Sequence, residues 1–157
     1  LKEREKLFKW IGVLRKNNVY FWRLKNRTDI AINTLEDAKK YKIGTLNKDA
    51  KSLFLLSQGF VRDKNLVVLN DNDRIIKLLY ANRTDLLVDS IEIKDSIKKL
   101  GYDPNLLEKL ILVENYPVDI YAAFSLMTND IIVDKFRKAL EELKSEGEFD
   151  KILNKYK

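Results

Sequence analysis

Thr84-Asp85-Leu86-Leu87-Val88-Asp89-Ser90-Ile91-Glu92-Ile93-Lys94-Asp95-Ser96-Ile97-Lys98-Lys99-Leu100-Gly101 is the stretch on which the fold reading turns. Asp85 to Val88 is a short apolar run with the composition of a buried strand. The period then changes. Ile93, Ile97 and Leu100 recur at helical spacing between Ser90 and Leu100, and Gly101 suits the left-handed residue that ends a helix.

The same strand-then-helix unit occurs twice upstream. Leu66 to Leu69 reads as a strand, followed by a helix carrying Ile75, Ile76, Leu78 and Leu79, started by Asp71 or Asp73 and ended at Asn82. Tyr41 to Leu46 reads as another strand, followed by Ala50, Leu53, Phe54 and Ser57 at helical spacing before Gly59. Strands alternating with helices predict an α/β domain with a mostly parallel sheet flanked by helices and joined by right-handed crossovers.

Further out, Thr34-Leu35-Glu36-Asp37 has the pattern of a capping box and predicts a short helix. Trp10 to Leu14 and Val19 to Leu24 are β-prone runs separated by Arg15-Lys16-Asn17-Asn18, and predict a hairpin. On the other side, a helical turn after Pro104 leads to a strand over Leu110 to Glu114. A further strand over Val118 to Ser125 follows, with Pro117 at its start, and leaves the sheet. Ile132, Phe136, Leu140 and Leu143 form one helical stripe; beyond Gly147, Phe149, Ile152, Leu153 and Tyr156 form another.

The 157 residues, 45% hydrophobic and 34% charged, suffice for one core and argue against a disordered chain. No run approaches the roughly 20 apolar residues of a membrane span. The opening Leu1-Lys2-Glu3-Arg4-Glu5-Lys6 lacks a leader's apolar stretch, which suggests processing or a trimmed fragment. With no Cys and no His, thiol catalysis, disulfides and the commonest metal ligand and general base are excluded, and no cofactor is implied. The net charge of +6 is concentrated in residues 1–27, which hold nine Lys or Arg against two Glu.

Several segments, taken in order, resemble the amino-acid-type (family 3) periplasmic solute-binding proteins of ABC transporters. They are Lys9-Trp10-Ile11-Gly12 at a hinge, Leu35-Glu36-Asp37 leading into Lys42-Ile43-Gly44, and Arg83-Thr84-Asp85-Leu86-Leu87-Val88-Asp89, similar to the family's Gly-Arg-Val-Asp-Ala stretch. Tyr121-Ala122-Ala123-Phe124-Ser125 is similar to the returning hinge strand, and Phe136 to Leu140 through Gly147 to Ile152 to the closing helices. The resemblance implies a periplasmic-binding-protein-like lobe with hinge strands and C-terminal helices, lacking the N-terminal part of lobe 1. Residues 1–33 would be the hinge hairpin and a remnant of lobe 1, 34–116 the α/β lobe 2, and 117–157 the return strand and C-terminal helices. It implies an extracytoplasmic location, a small polar solute such as an amino acid or amine, and an ABC permease as partner. A homodimer or a partner supplying lobe 1 would cover the apolar stripes left exposed.

In open parallel sheets, ligands sit beyond the carboxyl ends of strands, which selects the loops after residues 46, 70 and 88. Asn47, Lys48 and Asp49 lie where a helix N-terminus can hold an anion, but Asp49 would repel a carboxylate there; it is equally a helix cap. Asp89 matches the family acid that pairs with a ligand's amino group, and equally reads as a cap before Ser90. Asn70 and Asp71 are weaker candidates, with capping as the alternative for Asp71. Asp85 reads as structural.

The aromatics Trp10, Tyr20, Phe21 and Trp22, interleaved with Arg15, Lys16, Arg23, Lys25 and Arg27, have the composition of a single-strand nucleic-acid surface. Hinge packing is the stronger reading, and no nucleic-acid partner is expected. Two alternatives to transport remain: a sensing domain of a membrane signalling receptor, and a dehydratase-like enzyme using Asp49, Asp71 and Asp89 as acid and base. A non-enzymatic binding module is the preferred expectation.

Overall fold

The computed structural model describes residues 6–117 and 119–155. The chain forms two compact units, one of Asn18–Tyr116 and one of Leu1–Asn17 with Pro117–Lys157.

The Asn18–Tyr116 unit is a five-stranded sheet with helices on both faces. Its elements in chain order are β2 (Tyr20–Leu24), α1 (Leu35–Ala38), β3 (Ile43–Leu46), α2 (Ala50–Ser57), β4 (Leu66–Leu69), α3 (Asn72–Tyr80), β5 (Leu86–Asp89), α4 (Ile93–Lys99) and β6 (Leu107–Leu112). The sheet order is β4-β3-β5-β2-β6. β3 pairs in parallel with β4 and β5, while β2 runs antiparallel to both β5 and β6, so four of the five strands share one direction.

Two-sided burial explains why these strands read as continuous apolar runs. Phe21, Ile43, Leu86 and Val88 join Leu55 of α2 in one core cluster, and Trp22 and Leu87 join Ile76 and Leu79 of α3 and Ile97 of α4 in the other. The local punctuation is as the sequence suggests. Thr34 and Asp37 form a reciprocal capping box, and Asp71 caps α3 by accepting from the Asp73 and Arg74 amides. Gly59 and Asn82 take left-handed conformations just beyond α2 and α3.

The other unit pairs β1 (Phe8–Lys16) antiparallel with β7 (Asp119–Ser125). α5 (Asp130–Ser145) packs on β1, with Arg137 Nε donating to the Trp10 carbonyl at 2.8 Å and Phe136 meeting Phe124 edge to face. α6 (Glu148–Asn154) follows Gly147. Val133 and Leu140 are buried, whereas Met127, Ile131, Ile132 and Phe136 are exposed. No helix among the described residues is long and apolar enough to cross a membrane.

The expected hairpin does not form: β1 pairs with β7, and β2 is inserted between β5 and β6. Phe21 and Trp22 need cover on both faces, and only the interior of the five-stranded sheet supplies it. Residues 18–33 accordingly fall in the α/β unit. The strand read over Leu110 to Glu114 begins earlier, at Leu107, because the turn Pro104–Leu106 ends directly in the ladder opposite Leu24. The helix read from Ser90 starts at Ile93. Val118 and Tyr156, assigned to a strand and a helical stripe, lie outside the described residues, as do Leu1 to Glu5.

Candidate functional site

The sheet order contains a reversal. From β3 the chain crosses through α2 to β4 on one side, then returns through α3 over β3 to β5 on the other. α2 and α4, which follow β3 and β5, pack on opposite faces. The loops leaving these neighbouring parallel strands therefore diverge, and the crevice between them is the topological switch point where open α/β sheets take ligands.

Two acids stand at that point. Asp49 caps α2, its Oδ1 accepting from the Lys51 amide at 2.7 Å while the Ser52 hydroxyl donates to its carbonyl. Asp89 ends β5. Its Oδ1 accepts from the Ser90 amide at 2.8 Å, and the buried Trp22 indole donates to its carbonyl at 2.9 Å. Asp89 does not cap α4, whose N-cap is Glu92.

Between the acids sits Lys51, with Nζ 3.4 Å from Asp49 Oδ1 and 3.4 Å from Asp89 Oδ1. Burial pushes the Asp89 carboxyl above its ordinary range, and Lys51 only partly opposes that. Burial pulls Lys51 down, but the fields of Asp89 and Asp49 more than offset it, so its ammonium is held above its usual value. Tyr116, edge to face with Phe54, adjoins this cluster: burial raises its phenol, Lys51 lowers it, and both acids raise it.

The neighbouring strand ends form a second group, two side-chain amides with a guanidinium beside them. Asn47 donates to Asn70 Oδ1 at 3.0 Å and accepts from Arg62 at 3.4 Å. Lys48 stands between the two groups in the sequence and has a left-handed backbone, φ 57°. Of the six residues selected from sequence, the structure thus joins Asp49 to Asp89 through Lys51 and Asn47 to Asn70 directly, while Asp71 acts as the cap of α3. Asp85 is structural, accepting from the Lys42 amide and from Arg27. Among the described residues no group of His, Cys, Asp or Glu could hold a metal ion.

Solved structures share this architecture. An ancestral arginine-binding protein bound to arginine matches with a TM-score of 0.76 and 21% identity, over 99% of this chain and 66% of its own. An amino acid ABC transporter substrate-binding protein from Streptococcus pneumoniae, bound to L-arginine, matches at 0.76 and 18%, over 99% and 63%. A histidine kinase sensor domain with similarity to periplasmic binding proteins matches at 0.73 and 17%, over 98% and 64%. The fold is that of the periplasmic binding proteins. No protein-family model matches the sequence, and no curated protein matches it.

Within this periplasmic-binding-protein-like fold the chain spans about two thirds of the neighbours' length. Sequence reasoning missed Lys51 and Tyr116. Lys51 left one usable signal, its place in the first turn of a helix that follows a strand end; Tyr116 left none. Phe21 and Trp22, weighed as stacking aromatics, are buried in the core. Two shallow hollows on the same unit, of ≈ 190 and ≈ 220 Å³, lie elsewhere, one beside Leu24, Tyr80 and Leu106 and one beside Asn33, Thr34 and Ile111.

Proposed function

We propose that the chain is the binding module of an extracytoplasmic solute receptor serving an ABC importer, and that it holds a small polar solute bearing an amino group against Asp89. The observation that carries this is a sheltered carboxylate at the switch point of a fold whose solved examples include proteins bound to arginine. Binding rather than catalysis is the reading, since Asp49, Lys51 and Asp89 are paired with one another and the sequence offers no Cys nucleophile and no His base. Asn47, Lys48 and Asn70, which follow β3 and β4, and Asp71, the cap of α3, are the further residues assigned to the solute in this reading.

In this role the solute is enclosed between lobes and the closed form is recognised by a membrane permease. The exposed Met127, Ile131, Ile132 and Phe136 offer an apolar surface on which a second lobe can pack. Resemblance to a histidine kinase sensor domain supports a second reading, in which the same module reports a solute to a signalling kinase.

The test is native mass spectrometry of the purified chain together with thermal unfolding against a panel of amino acids and amines. A co-purified solute, or a saturable stabilisation lost in Asp89→Asn, supports the proposal. A panel without effect on the chain and on a complete two-lobed assembly counts against it.

A further inference from the structure

An α-amino acid brings a carboxylate and an ammonium to its site. At this switch point, the first amides of α2 would suit the carboxylate and Asp89 the ammonium. Both places are already met from inside the chain. The Asp49 carboxylate accepts from the first-turn amide of Lys51 at 2.7 Å, and the Lys51 ammonium lies 3.4 Å from Asp89.

The charges are not balanced. Asp49, Lys51 and Asp89 together carry one surplus negative charge when both acids are ionised, and Tyr116 beside them is neutral at physiological pH. A solute carboxylate arriving at α2 meets Asp49 in the place it would take. A solute cation arriving at Asp89 meets a single ammonium held by two ion pairs longer than the 2.7–2.9 Å typical of a charge-assisted hydrogen bond. When that ammonium yields Asp89, it keeps Asp49.

We infer that Asp49 and Lys51 set the solute class of this site: it admits amines without an adjacent carboxylate and discriminates against α-amino acids. The inference rests on the proposed solute-binding role and narrows it. Asp49 imposes the discrimination by like-charge repulsion, and Lys51 sets how strong a cation is needed to enter.

Agmatine and L-arginine differ by that one carboxylate, which makes them the probes. Each is titrated into the purified chain, and saturable shifts of the Lys51, Asp89 and Ser90 amides are followed by NMR. The wild-type chain is expected to bind agmatine at least about tenfold more tightly than L-arginine. Asp49→Ser keeps a capping hydroxyl and the fold while removing the charge, and brings the two affinities together. Lys51→Gln strengthens agmatine binding, and Asp89→Asn abolishes the shifts for both probes.

Equal affinities in the wild-type chain, or a preference unchanged by Asp49→Ser, would overturn the inference and leave the solute-binding reading standing. Silence from both probes in the wild-type chain, Asp49→Ser and Lys51→Gln, repeated in a complete two-lobed assembly, would overturn both.

Discussion

Replacing Lys51 by Met isolates the electrostatics around Asp89. Lys51 Nζ is 3.4 Å from Asp89, whose side chain is 18% exposed. At an effective dielectric constant of about 20, charges at that separation attract by about 5 kcal/mol before desolvation is counted. Removing both ions from water cancels most of this, so the loss on breaking the pair falls between the ≤ 1 kcal/mol of exposed pairs and the roughly 3–5 kcal/mol of fully buried ones. About 2 kcal/mol is the expected cost of Lys51→Met at pH 7, or about 8–16 °C in melting temperature for a unit of roughly 100 residues.

The sign of the double variant is the stronger test. Lys51→Met strands an ionised Asp89, and Asp89→Asn removes the stranded charge, so Lys51→Met/Asp89→Asn is more stable than Lys51→Met alone. The pH dependence follows the same logic. Asp89 is raised in the folded chain, so its ionised form opposes folding above the raised value. That opposition fades as pH falls toward the ordinary carboxyl value of 3.8. Met at position 51 removes the attraction that limits the rise. Its deficit therefore shrinks between pH 7 and the acid range, as read by urea unfolding of all four proteins. A deficit that neither acid nor Asp89→Asn reduces refutes the reasoning.

Three further outcomes follow from the packing. The buried Thr84 hydroxyl has no hydrogen-bond partner among the described residues, so Thr84→Val raises the unfolding free energy by about 1 kcal/mol in urea titration. A Cβ on Gly44 would stand 2.8 Å from Ile75 Cγ2; Gly44→Ala destabilises by about 1–3 kcal/mol, and adding Ile75→Leu, which lacks that β-branch methyl, recovers part of the loss in the melting curve. The Tyr80 phenol is pushed up to about 12, by burial first and then by Asp103 and Tyr102. Stability that depends on its neutral form is present below the unfolded value of 10.0 and lost as pH rises toward 12. Tyr80→Phe removes that step from an alkaline absorbance titration.

What the sequence disclosed was local chemistry. Thr34, Asp71, Gly59 and Asn82 mark element ends because a cap or a left-handed residue acts on its own backbone neighbours. The three strand-helix units were equally legible, and with them the strand ends that carry Asn47, Asp49, Asn70 and Asp89. The partner of β2 was not, because turn composition at Arg15 to Asn18 says that the chain bends and not which strand it joins. That choice belongs to Phe21 and Trp22, which are buried on opposite faces of one sheet. Lys51 was passed over because a lysine in a helix reads as solvated surface. Its pairing with Asp89 depends on β3 and β5 being neighbours across 38 residues.

The placement of β2 also determines which partner moves when a cation arrives. Tyr20 stands opposite Asp89 in the β2–β5 ladder, and the Trp22 indole, buried in the core, clamps the Asp89 carbonyl. The Asp89 carboxylate is further fixed by the Ser90 amide, so the acid is presented on a rigid strand end. Lys51 is held by no such clamp; its ammonium rides on a flexible four-carbon stem between two carboxylates. Exchange at this site consequently displaces Lys51 and leaves Asp89 in place. Because Asp49 remains beside the displaced ammonium, the exchange costs less than stripping an isolated ion pair of its partner, and the acid stays preorganised for the incoming cation.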